Sequence, residues 1–313
     1  MANTTGVTPG LLIKGLNEVF HQKYGEKTIG MIDSNAVMNF RTVTRGMTDT
    51  DVVLAGIGDF KEVAEQANIP MEEVLERGQT IYQHKLYADG FAISYKMMLA
   101  DETGGNTLEM AAQLGQAARQ IQEKLRMSVL VNGGTKVGLD GVPLFSKVHP
   151  LADGTVQAND IDWTTDLYTT VKLAISALRR QKSYNGKISL AKDPVMVLCP
   201  EALFAPMIEA TKARNYPSAT NSSFASYISE IFPGLQVGWN PYLGAEFGGS
   251  DDKFYVLSDK TNHRLKVFIR EAVNTWNTPW QDNDNIQMEY KCKFAESAGF
   301  SDYMGVVRGD GTP

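Results

Sequence analysis

The chain is poor in the residues from which sites of chemistry are usually built. Two cysteines and four histidines are spread over 313 residues. Cys199 and Cys292 each sit in an apolar run, Val195–Cys199 and Ile286–Cys292, a setting that predicts reduced core thiols in place of a disulfide or a metal centre. His21, His84, His149 and His263 have no ligand spacing. There is no apolar run long enough to span a bilayer. The first ten residues have neither the basic nor the apolar part of a signal peptide, which predicts folding in the cytoplasm. An excess of positive charge is also missing: 30 Lys and Arg oppose 36 Asp and Glu, for a net charge of -6. A free-standing nucleic-acid reader would carry the opposite balance.

Catalytic spacings are absent too. Gly133-Gly-Thr-Lys136 lacks the first glycine of a phosphate-binding loop. No Gly-x-Ser-x-Gly elbow occurs. Asp101-Glu102 stands just before a predicted helix, where it complements the helix dipole better than it binds metal. Gly248-Gly-Ser-Asp-Asp252 lacks the ligand spacing and closing Glu of a calcium loop. No catalytic, metal or cofactor-binding residue is therefore assigned. Asn274, Trp276, Asn277, Trp280 and Asn283 form an aromatic and amide group. It could stack a nucleobase, but a buried loop anchored by its tryptophans is the favoured reading.

What is present is an ordinary globular composition, 43% hydrophobic and 21% charged, in a length that allows one large domain or two sharing a core. Leu11, Leu12, Leu16, Val19 and Phe20 predict a short amphipathic helix ended by Gly25. Val37, Asn39 and Thr42–Thr44 predict a strand. A charged stretch follows, and then Thr80–Leu99 is strand-rich again, so residues 35–104 read as a long excursion with a short helix at Met71–Leu75. Such a segment has few core-forming residues at its centre and cannot easily stabilise itself. Leu108, Ala111, Leu114, Ala118, Ile121, Leu125 and Val129 mark a long helix over 106–131, with Asn106 and Glu109 as its capping pair and Gly133-Gly134 as its stop.

Residues 139–160 are turn-rich. A second helix is predicted over 164–181, capped by Thr164 or Thr165. Pro194–Cys199 reads as a buried strand, Glu201–Lys212 as a helix kinked at Pro206, and Asn215–Ser223 as a loop before a short helix to Ile231. Leu235–Trp239 and Lys253–Leu257 read as strands. In the tail Ile286, Met288, Tyr290, Cys292 and Phe294 alternate with polar residues, which predicts a half-buried antiparallel strand with Arg264–Ile269 and Asp302–Val307 as partners.

Several local stretches resemble one known family. Gly58-Asp-Phe-Lys-Glu-Val63 resembles the start of its extended loop. Tyr87-Ala-Asp-Gly-Phe-Ala-Ile-Ser-Tyr95 with Leu99–Gly104 resembles the return into its spine helix. Asp140-Gly-Val-Pro-Leu-Phe-Ser-Lys-Val-His-Pro150 resembles a Gly-x-x-Leu-Phe segment followed by His-Pro, and Phe254–Leu257, Leu265–Arg270 and Tyr290–Gly299 resemble its closing strands. The family is that of tailed-bacteriophage major capsid proteins of the Hong Kong 97 type, and within it the Mu-like head subunits. The Trp-Gly-Asp-Arg segment common there is replaced by Ala67–Gly78.

The resemblance implies an α+β fold with an N-terminal arm (1–39), an extended β-hairpin loop (40–104), a peripheral domain (105–160 and 272–313) holding the spine helix, and an axial domain (161–271). It implies a head subunit without enzymatic activity or cofactor, assembling with itself into pentamers and hexamers of an icosahedral shell, part of the virion. The mild negative charge suits a container of double-stranded DNA, because a cationic wall would hold the packaged polyanion. No extended charged segment precedes the arm, so a separate scaffolding protein is expected, with a portal protein and a possible decoration protein as further partners. Asp59, Phe60, Lys61, Glu62, Glu72, Glu73, Glu76 and Arg77 are the expected loop contacts with a neighbouring subunit. Some relatives cross-link a loop lysine to an asparagine. Lys61 with Asn274 or Asn277 would be the candidates here, a non-covalent contact being favoured. An encapsulin-like compartment and, more distantly, a soluble hydrolase or transferase are the alternatives.

Overall fold

The computed structural model describes residues 9–43, 45–56, 60–65, 68–71, 76–100, 105–163, 166–213, 215–217, 223–278 and 287–311. In chain order the elements are α1 (Pro9–Tyr24), α2 (Ser34–Val37), β1 (Asn39–Thr42), β2 (Thr48–Leu54), β3 (Glu76–Gln83), β4 (Lys85–Ser94), α3 (Tyr95–Ala100), α4 (Gly105–Val131), β5 (His149–Pro150), β6 (Val156–Gln157), β7 (Asp160–Asp162), α5 (Leu167–Arg179), β8 (Met196–Cys199), α6 (Glu201–Lys212), β9 (Asn215–Pro217), β10 (Ser223–Ala225), α7 (Tyr227–Ile231), β11 (Gln236–Trp239), β12 (Lys253–Leu257), β13 (Leu265–Thr278), β14 (Gln287–Phe300) and β15 (Val306–Asp310).

Two sheets carry the body. A four-stranded sheet has the order β1-β13-β14-β4. Its long hairpin, β13 with β14, is antiparallel and shifts register twice between Ile269 and Asn274. Met288, Tyr290, Cys292 and Phe294 all point inward, each burial stabilising the fold by about 1.5–3 kcal/mol. The second sheet has five strands in the order β11-β8-β12-β15-β7. Helices α5, α6 and α7 cover it through Val171, Ile175, Leu178, Met207 and Ile228, packed on Val197, Phe254 and Val256.

Helix α4, 27 residues and so about 40 Å long, runs from one core into the other. Its first half meets α1 and the inner face of β14 through Ala111, Leu114, Phe20 and Tyr290. Its end, Met127 and Leu130, meets Leu144, Tyr255 and Leu265. A glycine permits the closest approach: a Cβ on Gly115 would lie 2.6 Å from the Phe20 carbonyl oxygen.

The sequence reading needs several corrections. Helix α4 begins at Gly105, which places Asn106 inside the first turn and not at its cap. Helix α5 is capped by Asp166, whose carboxylate accepts from the Thr169 amide; Thr164 and Thr165 lie outside the described residues. The stretch expected as a loop after residue 214 includes an antiparallel pair, β9 with β10. The strand expected from Val37 begins at Asn39, after a turn of helix. β15 pairs with β12 and β7, not with β14, because the chain leaves the long hairpin at Ser301 and crosses to the other sheet. The short helix expected at Met71–Leu75 falls largely outside the described residues.

Candidate assembly interface

The feature that no core absorbs is the excursion between β1 and β4. β2 and β3 form an antiparallel hairpin, with Thr50 opposite Ile81 and Val52 opposite Gln79. Its inner face is tied to the body. Asp51, Val53 and Tyr82 are buried. The Tyr82 hydroxyl lies 2.7 Å from Ser301 Oγ, and the Tyr82 ring packs on Phe268 with centroids 4.4 Å apart. Lys266 reaches Asp51 at 2.5 Å, and the Ser301 hydroxyl donates to the same carboxylate. Burial works to raise the Asp51 carboxyl, but the hydrogen bonds from Lys266 and Ser301 outweigh it and hold the group below its usual range.

Arg77 anchors the other leg. Its guanidinium donates to Asp302 Oδ1 at 2.9 Å, lies 4.0 Å from Asp140, and stacks over the Tyr184 ring at 4.4 Å. Its side chain is only 4% exposed. Asp140 in turn meets the buried His149 at 2.5 Å. The His149 ring stacks on Tyr303 at 3.7 Å, and its other nitrogen lies 2.9 Å from Asn159 Oδ1. Arg77 was expected to touch a neighbour. It is instead drawn inward, because a buried aspartate and two tyrosine faces offer a cation more than solvent does.

The outer face and the loop beyond it are bare. Val52, Leu54 and Ile81 are exposed on the hairpin, and Phe60, Val63, Ile69 and Met71 on the loop, with Phe60 fully open to solvent. Glu62 and Glu76 are exposed, and so is Lys61. Asp59, Glu72 and Glu73 lie outside the described residues. Among the described residues several large apolar side chains of one segment thus have nothing of their own subunit to pack on, which is the mark of an interaction surface.

Asn274 and Asn277 lie on the distal half of β13, opposite Lys293 and Tyr290 of β14. Asn274 and Trp276 face solvent, so the buried, tryptophan-anchored loop expected here is corrected to an exposed ladder; Trp280 and Asn283 lie outside the described residues. Both cysteines are free and buried. Burial pushes the Cys199 thiol up to about 12 and the Cys292 thiol up to about 11, which makes them poor nucleophiles. Among the described residues no group of three or more His, Cys, Asp or Glu is placed to hold a metal ion, and no helix is long and apolar enough to cross a membrane.

A buried polar lock joining helix α4 to β14 has no local signature in the sequence. Arg126 of α4 holds Glu296 of β14 through two contacts, at 2.7 and 3.2 Å. It also donates to Ser34 Oγ at 3.1 Å. Ser34 gives its amide and hydroxyl to Glu123 at 2.9 and 2.6 Å. Arg119 pairs with Asp33 at 2.8 Å. Residues 33–34, helix α4 and strand β14 are thereby joined at one largely buried site.

Residues 77–309 match the sequence profile of a family described as phage capsid protein. The chain belongs to that family. Solved structures share its fold. The capsid protein of bacteriophage PhiM1, from its mature capsid, aligns with a TM-score of 0.59 at 11% identity, covering 92% of this chain and 90% of that one. The chain from Mycobacterium phage Adephagia aligns at 0.57 and 16% identity, covering 94% of each. The virus-like particle of Pyrococcus furiosus aligns at 0.55 and 11% identity, covering 95% of this chain and 98% of that one. At such identities the likeness is one of fold, the Hong Kong 97-type capsid fold. No curated protein matches the chain in sequence. The family match, and not the fold, distinguishes a phage capsid protein from another shell protein of the same architecture.

Proposed function

We propose that this capsid protein is the Mu-like major head subunit of a tailed phage, closing with copies of itself into pentamers and hexamers of an icosahedral shell around double-stranded DNA that it does not read. In this reading residues 1–39 are an arm and residues 40–104 an extended loop, both laid on neighbours. Residues 105–160 with 272–313 form the peripheral domain, and residues 161–271 the axial domain. The role is structural and not enzymatic. Assembly takes place in the host cytoplasm with a separate scaffolding protein and a portal protein, with room on the outer face for a decoration protein.

The observation that carries the reading is the contrast within the excursion. Its base is bound to the body by Arg77, Tyr82 and Asp51, while Phe60, Ile69 and Met71 at its far end stand in solvent. A rigid stem presenting an uncovered apolar tip is suited to a contact that only a neighbour completes. Electron microscopy of the purified chain tests it. Closed shells are expected from the intact protein, and folded but unassembled subunits from a variant lacking residues 60–71. Small monodisperse oligomers from the intact chain would overturn it.

A further inference from the structure

An open pocket of about 610 Å³ lies at the root of the extended loop, between β2, the strand β1 and the turns around residues 183–192 and 260–264. Its charge is one-sided. Arg41, Lys192, Lys260, Arg264 and Lys266 line it alongside Arg77, against the single carboxylate of Asp302. Some of these cations are satisfied within the subunit. Arg77 holds Asp302, Lys266 holds Asp51, and Lys260 donates to the Asn35 carbonyl. Lys192, buried, donates to the Asn262 carbonyl and has no other hydrogen-bond acceptor among the described residues. Arg41 and Arg264 are exposed and make no ion pair among the described residues. Phe40, Leu54, Leu190 and Met304 give the pocket an apolar wall. The site therefore asks for a chain segment that brings carboxylates together with an apolar side chain.

Such a segment exists in the same sequence. Between Asp59 and Glu76 there are six acidic residues and one lysine. In the described part, Glu62 and Glu65 are exposed and make no ion pair among the described residues. Phe60 and Val63 stand uncovered beside them.

We propose that this pocket receives the loop of a second copy of the chain, with the neighbour's Glu62 and Glu65 carboxylates on Arg41 and Arg264 and its Phe60 against the apolar wall. The proposal rests on the reading of residues 40–104 as an extended loop and names where that loop lands. Charge complementarity carries it, because juxtaposed opposite patches fix partner and register while like charges exclude a wrong one. Each subunit then offers its own loop and, at the root of that loop, the socket for the next, so that the contact repeats head to tail around a ring.

Charge reversal with rescue tests it on the full-length chain. Arg41→Glu with Arg264→Glu reverses the socket, and Glu62→Lys with Glu65→Lys reverses the loop. All four side chains are exposed, so the thermal midpoint of the unassembled subunit is expected to stay where the parent's is. Each reversal alone is expected to lower the particle yield about tenfold or more, read by sedimentation and electron microscopy, and all four together to restore it. Glu62→Cys with Arg264→Cys is expected to give disulfide-linked oligomers in assembled shells, Cys199 and Cys292 being buried.

Unchanged yield in the separate reversals, or no recovery in their combination, overturns the proposal. A chain lacking residues 60–65 separates this failure from that of the wider reading. If the deletion prevents closure while the reversals do nothing, the loop reading stands and the socket falls. If the deletion assembles normally, both fall. Assembly that ignores loop reversal but depends on added inorganic phosphate assigns the pocket to a free anion and likewise overturns the proposal.

Discussion

Glu296 and Arg126 are 1% and 6% exposed at their side chains, so neither charge reaches water and each is the other's solvent. Burial raises the Glu296 carboxyl, with Arg126 pulling the other way. Glu296→Leu leaves the guanidinium with the Ser34 hydroxyl at 3.1 Å and the face of Phe40 at 5.0 Å, but no counter-charge in contact. Breaking a buried pair by removing one partner costs about 3–5 kcal/mol. Replacing both with apolar residues of similar volume removes the stranded charge, and such exchanges are often neutral or better. Here Ser34 and Gln122 lose partners as well, so Arg126→Met with Glu296→Leu is expected to cost about 1–2 kcal/mol. The sign of the difference is therefore fixed: the double variant is more stable than the single Glu296→Leu. Urea unfolding of dilute, unassembled subunits reads it. With a slope of about 2–3 kcal/mol per molar, the single change lowers the midpoint by about 1–2.5 M and the double by about 0.3–1 M. A double variant as unstable as the sum of the two single ones would mean that the groups act independently, and the lock would not exist as drawn.

Three further outcomes follow from local geometry. Burial and the neighbouring Lys192 push His263 down to about 4 from its ordinary 6.5, with Asp259 opposing and Lys260 adding to the effect. The unfolded chain then binds a proton below pH 6.5 that the folded chain refuses until about pH 4, so stability is full above 6.5 and falls as pH drops through that window. The loss is about 3 kcal/mol at 1.36 kcal/mol per pH unit, and His263→Gln is expected to flatten the urea midpoint between pH 6.5 and 4. Asp166→Ala removes the acceptor of the Thr169 amide and is expected to cost about 1 kcal/mol in thermal unfolding. Gly115→Ala gains about 0.5–1 kcal/mol of helix propensity, but its methyl would meet the Phe20 carbonyl at 2.6 Å. Overpacking of about 1–3 kcal/mol outweighs the gain, so calorimetry is expected to show a lower melting temperature.

The elements readable from sequence were those whose period dominates their neighbours. α1 and β14 each have one apolar face and one polar face, and pattern alone placed them. α4 was found by the same rule, yet its buried face was misread. Ile121 belongs to the apolar stripe but is exposed, while Gln122, Glu123 and Arg126 are buried. A hydrophobic rule cannot see a polar residue whose partners, Tyr24, Ser34 and Glu296, all lie 89 or more residues away. Arg77 escaped for the same reason. In sequence it closes a charged run, and only the fold brings Asp302 and Tyr184 to it. The partner of β15 was misassigned because alternation predicts a strand but not which sheet it joins. The exposed loop itself was legible, since a stretch with six acids and few core residues cannot bury itself.

The division between what was legible and what was not follows the division of labour in the subunit. Long-range polar pairs such as Arg126–Glu296 and Arg77–Asp302 are satisfied inside one chain, so they hold the body in one geometry whether or not neighbours are present. The loop and the cationic pocket at its root leave charges and apolar surface open, and in the proposed assembly a neighbouring copy supplies their partners. A shell subunit placed in rings of different size needs both: a body stiff enough to transmit the contact and a contact that costs nothing until it is made. Replacing both Arg126 and Glu296, which costs the body only about 1–2 kcal/mol, should therefore leave assembly intact. Stabilising the free loop, by giving Phe60 or Glu62 a partner within its own subunit, should weaken assembly in proportion, because that partner must be given up before the neighbour's can be taken.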